Sequence, residues 1–228
     1  MGAKAEHFKG FGPSDIQAAV APRLIQPLPA AAYALLARYV QLLIHWNQKI
    51  NLTAVRDPQV LVRLHLAECL RAAQRIRGDI ETLLDLGSGA GLPGIPIQIA
   101  RPELRVTLAE SQKKKAAFLR EVVRELGLHG TSVHAGRVEK MPAATVFDMV
   151  TLRAVDKMGE AMQAALPRIR PPHGARGGDC LVLTSQSEVA TIQASSFDAG
   201  GKMAIEWQVP DPIPGTDQRV ILLGSRVQ

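Results

Sequence analysis

The chain has 228 residues, of which 46% are hydrophobic, 21% charged and 4% aromatic, which suits one α/β domain with a small helical extension and excludes disordered, collagen-like and coiled-coil classes. Lys and Arg total 27 against 21 Asp and Glu, and the net charge of +6 suits a polyanionic partner without demanding one. The longest apolar run, 30–37, is too short to cross a bilayer, no signal peptide is visible, and Cys69 and Cys180 stand too far apart for metal-ligand spacing, so a reduced cytoplasmic compartment with no metal and no membrane is expected.

Residues 1–27 are rich in Gly, Pro and Ala and read as a flexible N-terminal segment. Residues 28–78 read as a helical extension. Tyr33, Leu36, Val40 and Leu43, widened by Ile44, form one apolar stripe of a helix from Leu28 to about Asn47. Asp57 and Pro58 open a second helix that runs to about Arg77. From 79 to 228 short apolar strands alternate with helices. Strands are expected at 82–86, 104–109, 131–135, 147–152 and 180–184, with helices at 92–100, 112–126 (closed by Gly127) and 156–167. Two further strands, 204–209 and 219–223, follow without a clear long helix between them. This alternation predicts a mostly parallel sheet, covered on both faces and ending in an antiparallel edge.

The sharpest local signal is Asp85-Leu86-Gly87-Ser88-Gly89-Ala90-Gly91, between the first strand and the next helix. Glycines there let the chain turn tightly and a ligand approach the backbone, while the helix N-terminus beyond favours an anionic group. Alone, the turn could be a plain strand-to-helix connection. Glu110 ends the second strand, where a carboxylate can accept from both hydroxyls of a ribose. A dinucleotide fingerprint would put its third glycine at Leu92, whereas here it falls one earlier, at Gly91. That spacing favours S-adenosylmethionine over a pyrophosphate-bearing cofactor. From Arg101 to Arg137 basic residues outnumber acids. On charge alone this is a solvated helix face, and the scarcity of aromatics points any nucleic-acid contact toward phosphates and shape.

Asn51 to Pro58 (NLTAVRDP), His65 and Glu68, residues 85–97 (DLGSGAGLPGIPI), Glu110-Ser111 before a Lys-rich turn, Phe118-Leu119, Gly136-Arg137-Val138-Glu139, Phe147-Asp148 and Arg153-Ala154 follow one another in an order that resembles one family. It is the bacterial small-subunit rRNA guanine-N7 methyltransferase family, also called glucose-inhibited division protein B. The resemblance spans about residues 33–170. It implies a class I S-adenosylmethionine-dependent methyltransferase, with a Rossmann-like, mostly parallel seven-stranded sheet and an N-terminal helical extension. It also implies methyl transfer to N7 of a guanine in the 530 loop of 16S rRNA, on the RNA or the small ribosomal subunit, by a monomer.

On this resemblance the cofactor-binding residues are Asp85, Gly87, Gly89, Gly91, Leu92, Glu110, Val138, Glu139 and Arg153, with Glu110 on the ribose and Val138 and Glu139 beside the adenine. Guanine N7 is a bare in-plane lone pair, so its methylation removes no proton and needs alignment more than a general base. Arg153, His65 and Glu68 are the candidates for positioning. Family members commonly carry lysines at the end of the fifth strand and near the last strand, where this chain has Thr184-Ser185 and Gly224, and the stretch 171–178 is longer than expected. RNA contacts are therefore expected from Lys113, Lys114, Lys115, Arg168 and Arg170. Two other readings stand beside this one. One is a methyltransferase of the same fold acting on another RNA or small molecule, the other a basic RNA-binding module without catalysis.

Overall fold

The computed structural model describes residues 11–153, 157–173, 177–197 and 201–227. Its N-terminal layer holds α1 (Pro13–Val20), α2 (Ala30–Asn47), and α3 (Pro58–Val60), which continues through a π-helical stretch, Leu61–Leu66, into α4 (Ala67–Ala73). The α2 stripe is buried as its spacing predicts, with Tyr33, Leu36, Val40 and Leu43 all inside. Asp57 caps α3 by accepting from the Gln59 N–H at 2.8 Å.

The segment 1–27 expected to be flexible is corrected over its described part. Phe11, Ile16 and Val20 are buried in the main core, with Ile16 and Val20 one helical turn apart on α1. The small residues around them concealed this stripe. Residues 1–10 lie outside the described residues.

The sheet consists of β1 (Thr82–Leu86), β2 (Arg105–Glu110), β3 (Thr131–Ala135), β4 (Met149–Arg153), β5 (Asp179–Ser185), β6 (Ile205–Trp207), β7 (Asp211–Pro212) and β8 (Arg219–Arg226). Its spatial order is β3-β2-β1-β4-β5-β8-β6. The first five strands are parallel, and β8 runs antiparallel to β5, as the closing strand pair suggested. The expected seven strands form this path, and the two-residue β7 adds an eighth beside β8.

Alternate strand residues serve two cores. Leu83, Leu181, Leu183 and Ile221 face the N-terminal layer together with α5 (Gly94–Ala100) and α6 (Lys113–Leu126). Leu84, Cys180, Val182 and Leu222 face α7 (Met158–Ala165) and α8 (Val189–Ala194). The helix α8, only six residues long, was not anticipated.

Other differences have local causes. The helix expected from Leu92 starts at Gly94, whose N–H is taken by the Asp85 carboxylate at 3.1 Å. α4 ends at Ala73, and the chain then turns through Arg75 N–H to Ala72 O instead of continuing to Arg77. At Gly224 a Cβ would stand 2.4 Å from Ile205 and 2.6 Å from Trp207, both on β6, so this chain packs its backbone tightly there. Thr184 is buried and donates to Glu188. Among the described residues no helix is long and apolar enough to cross a membrane, and no group of three or more His, Cys, Asp or Glu is placed to hold a metal ion.

Candidate active site

The C-terminal ends of β1, β2, β3 and β4 lie side by side, which is where open parallel sheets collect ligands. The chain leaves β1 through Gly87, Gly89 and Gly91, with φ of 73°, 55° and 89°. Gly87 and Ser88 both donate to the carbonyl of Ala109 on β2 at 3.0 Å, so the loop folds over the neighbouring strand. Its underside is pinned by Asp85, which accepts from Gly94 N–H and from the Thr151 hydroxyl, both at 3.1 Å. Burial pushes the Asp85 carboxyl up to about 6, although the hydrogen bonds around it pull the other way. From the N-terminal layer, Tyr39 donates its hydroxyl to Ala90 O at 2.8 Å.

The glycines are not equivalent. A Cβ on Gly91 would stand 2.6 Å from Ile95, and one on Gly94 would stand 2.4 Å from Leu108, so both positions are closed by packing. A Cβ on Gly89 would meet nothing nearer than the Gly87 carbonyl at 3.7 Å. Gly89 thus leaves bare backbone against open space. Glu110, buried at the end of β2, accepts from the Gly89 N–H at 3.0 Å and from the Gln112 N–H at 2.7 Å.

A cleft of about 400 Å³ runs over this loop. It is lined by Leu86, Gly87, Ala109 and Glu110, by Gly136 to Glu139 after β3, and by Glu160, Ala161 and Ala164 of α7. A carboxylate at one strand end, apolar Val138 and Ala109 beside it, and uncovered glycine backbone are the groups a nucleoside needs. The donor set and the space fit the nucleoside half of S-adenosylmethionine. Of the residues expected at the cofactor, Gly87, Glu110, Val138 and Glu139 line the cleft. Asp85, Gly91 and Leu92 are packed into or beneath the loop.

Arg153 ends β4. The register Leu86↔Leu152 places it beside the start of the glycine loop. Its Nε donates to Glu68 Oε1 at 2.6 Å and its Nη2 to His65 Nδ1 at 2.6 Å. Arg219, at the start of β8, donates to the other Glu68 oxygen at 3.1 Å. Burial alone would raise the Glu68 pKa, but the charges of Arg153 and Arg219 and the hydrogen bond from Arg219 overcome it and hold the carboxyl at about 2. Sequence reasoning brought Arg153, His65 and Glu68 forward and missed Arg219 and Tyr39. Neither of these sits in a local motif.

The basic residues separate into two groups. Lys113 and Lys114 are exposed and Lys115 half-buried at the start of α6, on the same sheet end as the cleft, and none makes an ion pair among the described residues. Arg168 and Arg170 stand apart from them. Arg168 is buried, donating to the carbonyls of Met141, Pro142 and Thr145. Arg170 pairs with Asp148 at 2.7 Å. Both brace the N-terminal end of β4, at the opposite end of the sheet from the cleft.

The sequence profile of the rRNA small subunit methyltransferase G family, also termed GidB, matches residues 32–203. Ribosomal RNA small subunit methyltransferase G of Xanthomonas campestris is 38% identical over 213 residues, covering 90% of this chain and 92% of that protein. Its counterpart from Stenotrophomonas maltophilia is 38% identical over 209 residues, covering 90% and 84%. Among solved structures, the mitomycin 7-O-methyltransferase MmcR superposes with a TM-score of 0.57 at 17% identity, covering 94% of this chain and 75% of that one. The glycopeptide N-methyltransferase MtfA complexed with S-adenosyl-L-methionine gives 0.55 at 13% identity, covering 72% and 87%, and at such identities the likeness shows the fold. With the profile across most of its length and the relatives aligned nearly end to end, the chain belongs to the rRNA small subunit methyltransferase G family of S-adenosylmethionine-dependent methyltransferases.

Proposed function

We propose that the protein methylates N7 of a guanine in the 530 loop of 16S rRNA within the small ribosomal subunit, in the cytoplasm. The observation that carries this reading is the donor set beyond the glycine loop. Arg153 and His65 meet at the C-terminal end of β4, and Arg153 Nη1 makes no hydrogen bond among the described residues. Guanine presents only acceptors, N7 and O6, on its major-groove edge, and donors are what such an edge requires. When bound, S-adenosylmethionine supplies a sulfonium methyl group to an incoming lone pair. The chain's own residues have three tasks: Glu110 and the Gly89 backbone hold the nucleoside, Arg153 orients the acceptor edge, and Lys113 to Lys115 meet RNA phosphates near the cleft. Holding two reactants aligned lowers a barrier by up to about 7–11 kcal/mol without any proton transfer. N7 has no proton to remove.

Small subunits from a strain lacking the gene, incubated with the purified protein and labelled cofactor, test the reading. Chain cleavage specific for 7-methylguanosine should then map one new site in the 530 loop. Label at another ring position, or in another RNA, would replace this reading with the same chemistry on a different substrate.

A further inference from the structure

We propose that His65 selects guanine at the target position, its Nε2–H donating to guanine O6 while the neighbouring N7 takes the methyl group. The inference rests on the N7 reading above and adds how the base is chosen.

An arginine has donors only, so the 2.6 Å contact from Arg153 Nη2 makes His65 Nδ1 an acceptor and leaves the ring proton on Nε2. Glu68 does not compete for that nitrogen. Its nearer oxygen is 3.7 Å from Nδ1, and both of its oxygens already accept from Arg153 and Arg219. The His65 side chain is 25% exposed. The ring is held through Nδ1, and Nε2 is left with no hydrogen-bond partner among the described residues.

Its place in the fold gives Nε2 a purpose. Glu110 on β2 and Val138 after β3 mark the ribose and adenine end of the cleft, so the reactive end lies toward β1 and β4. Arg153 is the last residue of β4, and His65 reaches it from the π-helical stretch preceding α4. A π turn carries one more residue than an α turn and re-aims side chains, which is why such turns gather at functional sites.

In the transfer itself the N7 lone pair forms the new N–CH3 bond as the S–CH3 bond breaks. The bonding pair returns to sulfur, leaving a neutral thioether, and the positive charge passes to the base with no proton released. N7 is thereby committed, and O6 is the remaining group on that edge that can be read. Adenine carries an amino donor where guanine carries O6. A fixed N–H donor therefore accepts guanine and repels adenine. Besides orienting the acceptor edge, Arg153 holds the histidine's tautomer through Nη2.

The test uses small subunits reconstituted with rRNA carrying either guanosine or 2-aminopurine at the mapped position, since the analogue keeps N7 and lacks O6. Single-turnover rates are measured for wild type, His65→Leu and His65→Gln, with S-adenosylhomocysteine affinity and melting temperature recorded for each protein. Wild type should prefer guanosine by about tenfold, the weight of one hydrogen bond. His65→Leu should lose that preference while binding S-adenosylhomocysteine normally. His65→Gln should recover it, because an amide can accept from Arg153 through its oxygen and donate through its nitrogen. A folded His65→Leu that still prefers guanosine tenfold, or a wild type indifferent to O6, overturns the proposal. Methylation mapping to an atom other than N7 in the wild type overturns the underlying reading instead.

Discussion

Gly89 and Gly91 in the loop and Gly94 at the start of α5 lie close together in the chain, yet substitution at Gly89 and at Gly94 should fail in different ways. Valine at Gly89 forces a branched residue to φ 55° and points its methyls into open space beside the loop. We expect Gly89→Val to cost about 1–3 kcal/mol of stability and to lower S-adenosylhomocysteine affinity at least about tenfold, as calorimetry on the folded protein would show. Unchanged affinity would place the cofactor elsewhere. The same change at Gly94 meets Leu108 and Asp85 first and should cost the fold before it costs the ligand. Arg153→Lys keeps the charge and loses the planar fork that joins Glu68 to His65. Single-turnover methylation should slow at least about tenfold, or about 1.4 kcal/mol in the barrier, and an unchanged rate constant would make Arg153 a structural arginine. At this scale the glycine turn and Glu110 were legible in the sequence because they form one contiguous strand–turn–helix signal. Arg219 was not, because it reaches Glu68 only through the pairing of β8 with β5, 151 residues further along the chain.

Among the elements, α1 tests how well a short helix can be read. Its apolar face is Ile16 and Val20, fully buried against α2, in a segment whose composition suggests a loose tail. Ile16→Ala should destabilise the protein by about 2–4 kcal/mol in denaturant unfolding, and a value near zero would return the segment to the status of a tail. Helices with a full stripe, such as α2, and strands bounded by glycine turns were recognisable, because several residues repeat the same signal. Short pieces such as α8 and β7 carry too few residues for a period to show. Where elements join, charge decides the pH response. Glu68 of α4 has a folded pKa near 2, below its ordinary 4.5, so its stabilising effect is complete above 4.5 and disappears as pH falls toward 2. Breaking a buried pair costs about 3–5 kcal/mol, so Glu68→Gln should trail wild type by that order at pH 7, with the gap closing through pH 4.5 to 2. A pH-independent gap would mean Glu68 acts through shape alone. Asp85 runs the other way, because a pKa raised from 3.8 to about 6 favours folding below 3.8 and loses that effect as pH rises to 6.

Over the whole molecule, the net charge of +6 was visible from the start, but not its distribution. Arg168 and Arg170 serve the far end of the sheet, while Lys113 to Lys115 stand at the cleft end. Neutralising the three lysines should weaken binding to small-subunit RNA and flatten its dependence on salt by up to about 3 in log–log slope. Equal slopes in wild type and variant would make the run a solvated helix face. The Glu68 junction has a further consequence, for biosynthesis. Its partners arrive 85 and 151 residues after it, and the second belongs to the last strand. A chain still emerging from the ribosome has Glu68 and later Arg153, but β5 lacks its antiparallel neighbour and the carboxylate lacks half its compensation until β8 docks. The Glu68 carboxylate that Arg153 shares with Arg219 is therefore fully compensated only after β8 has paired with β5.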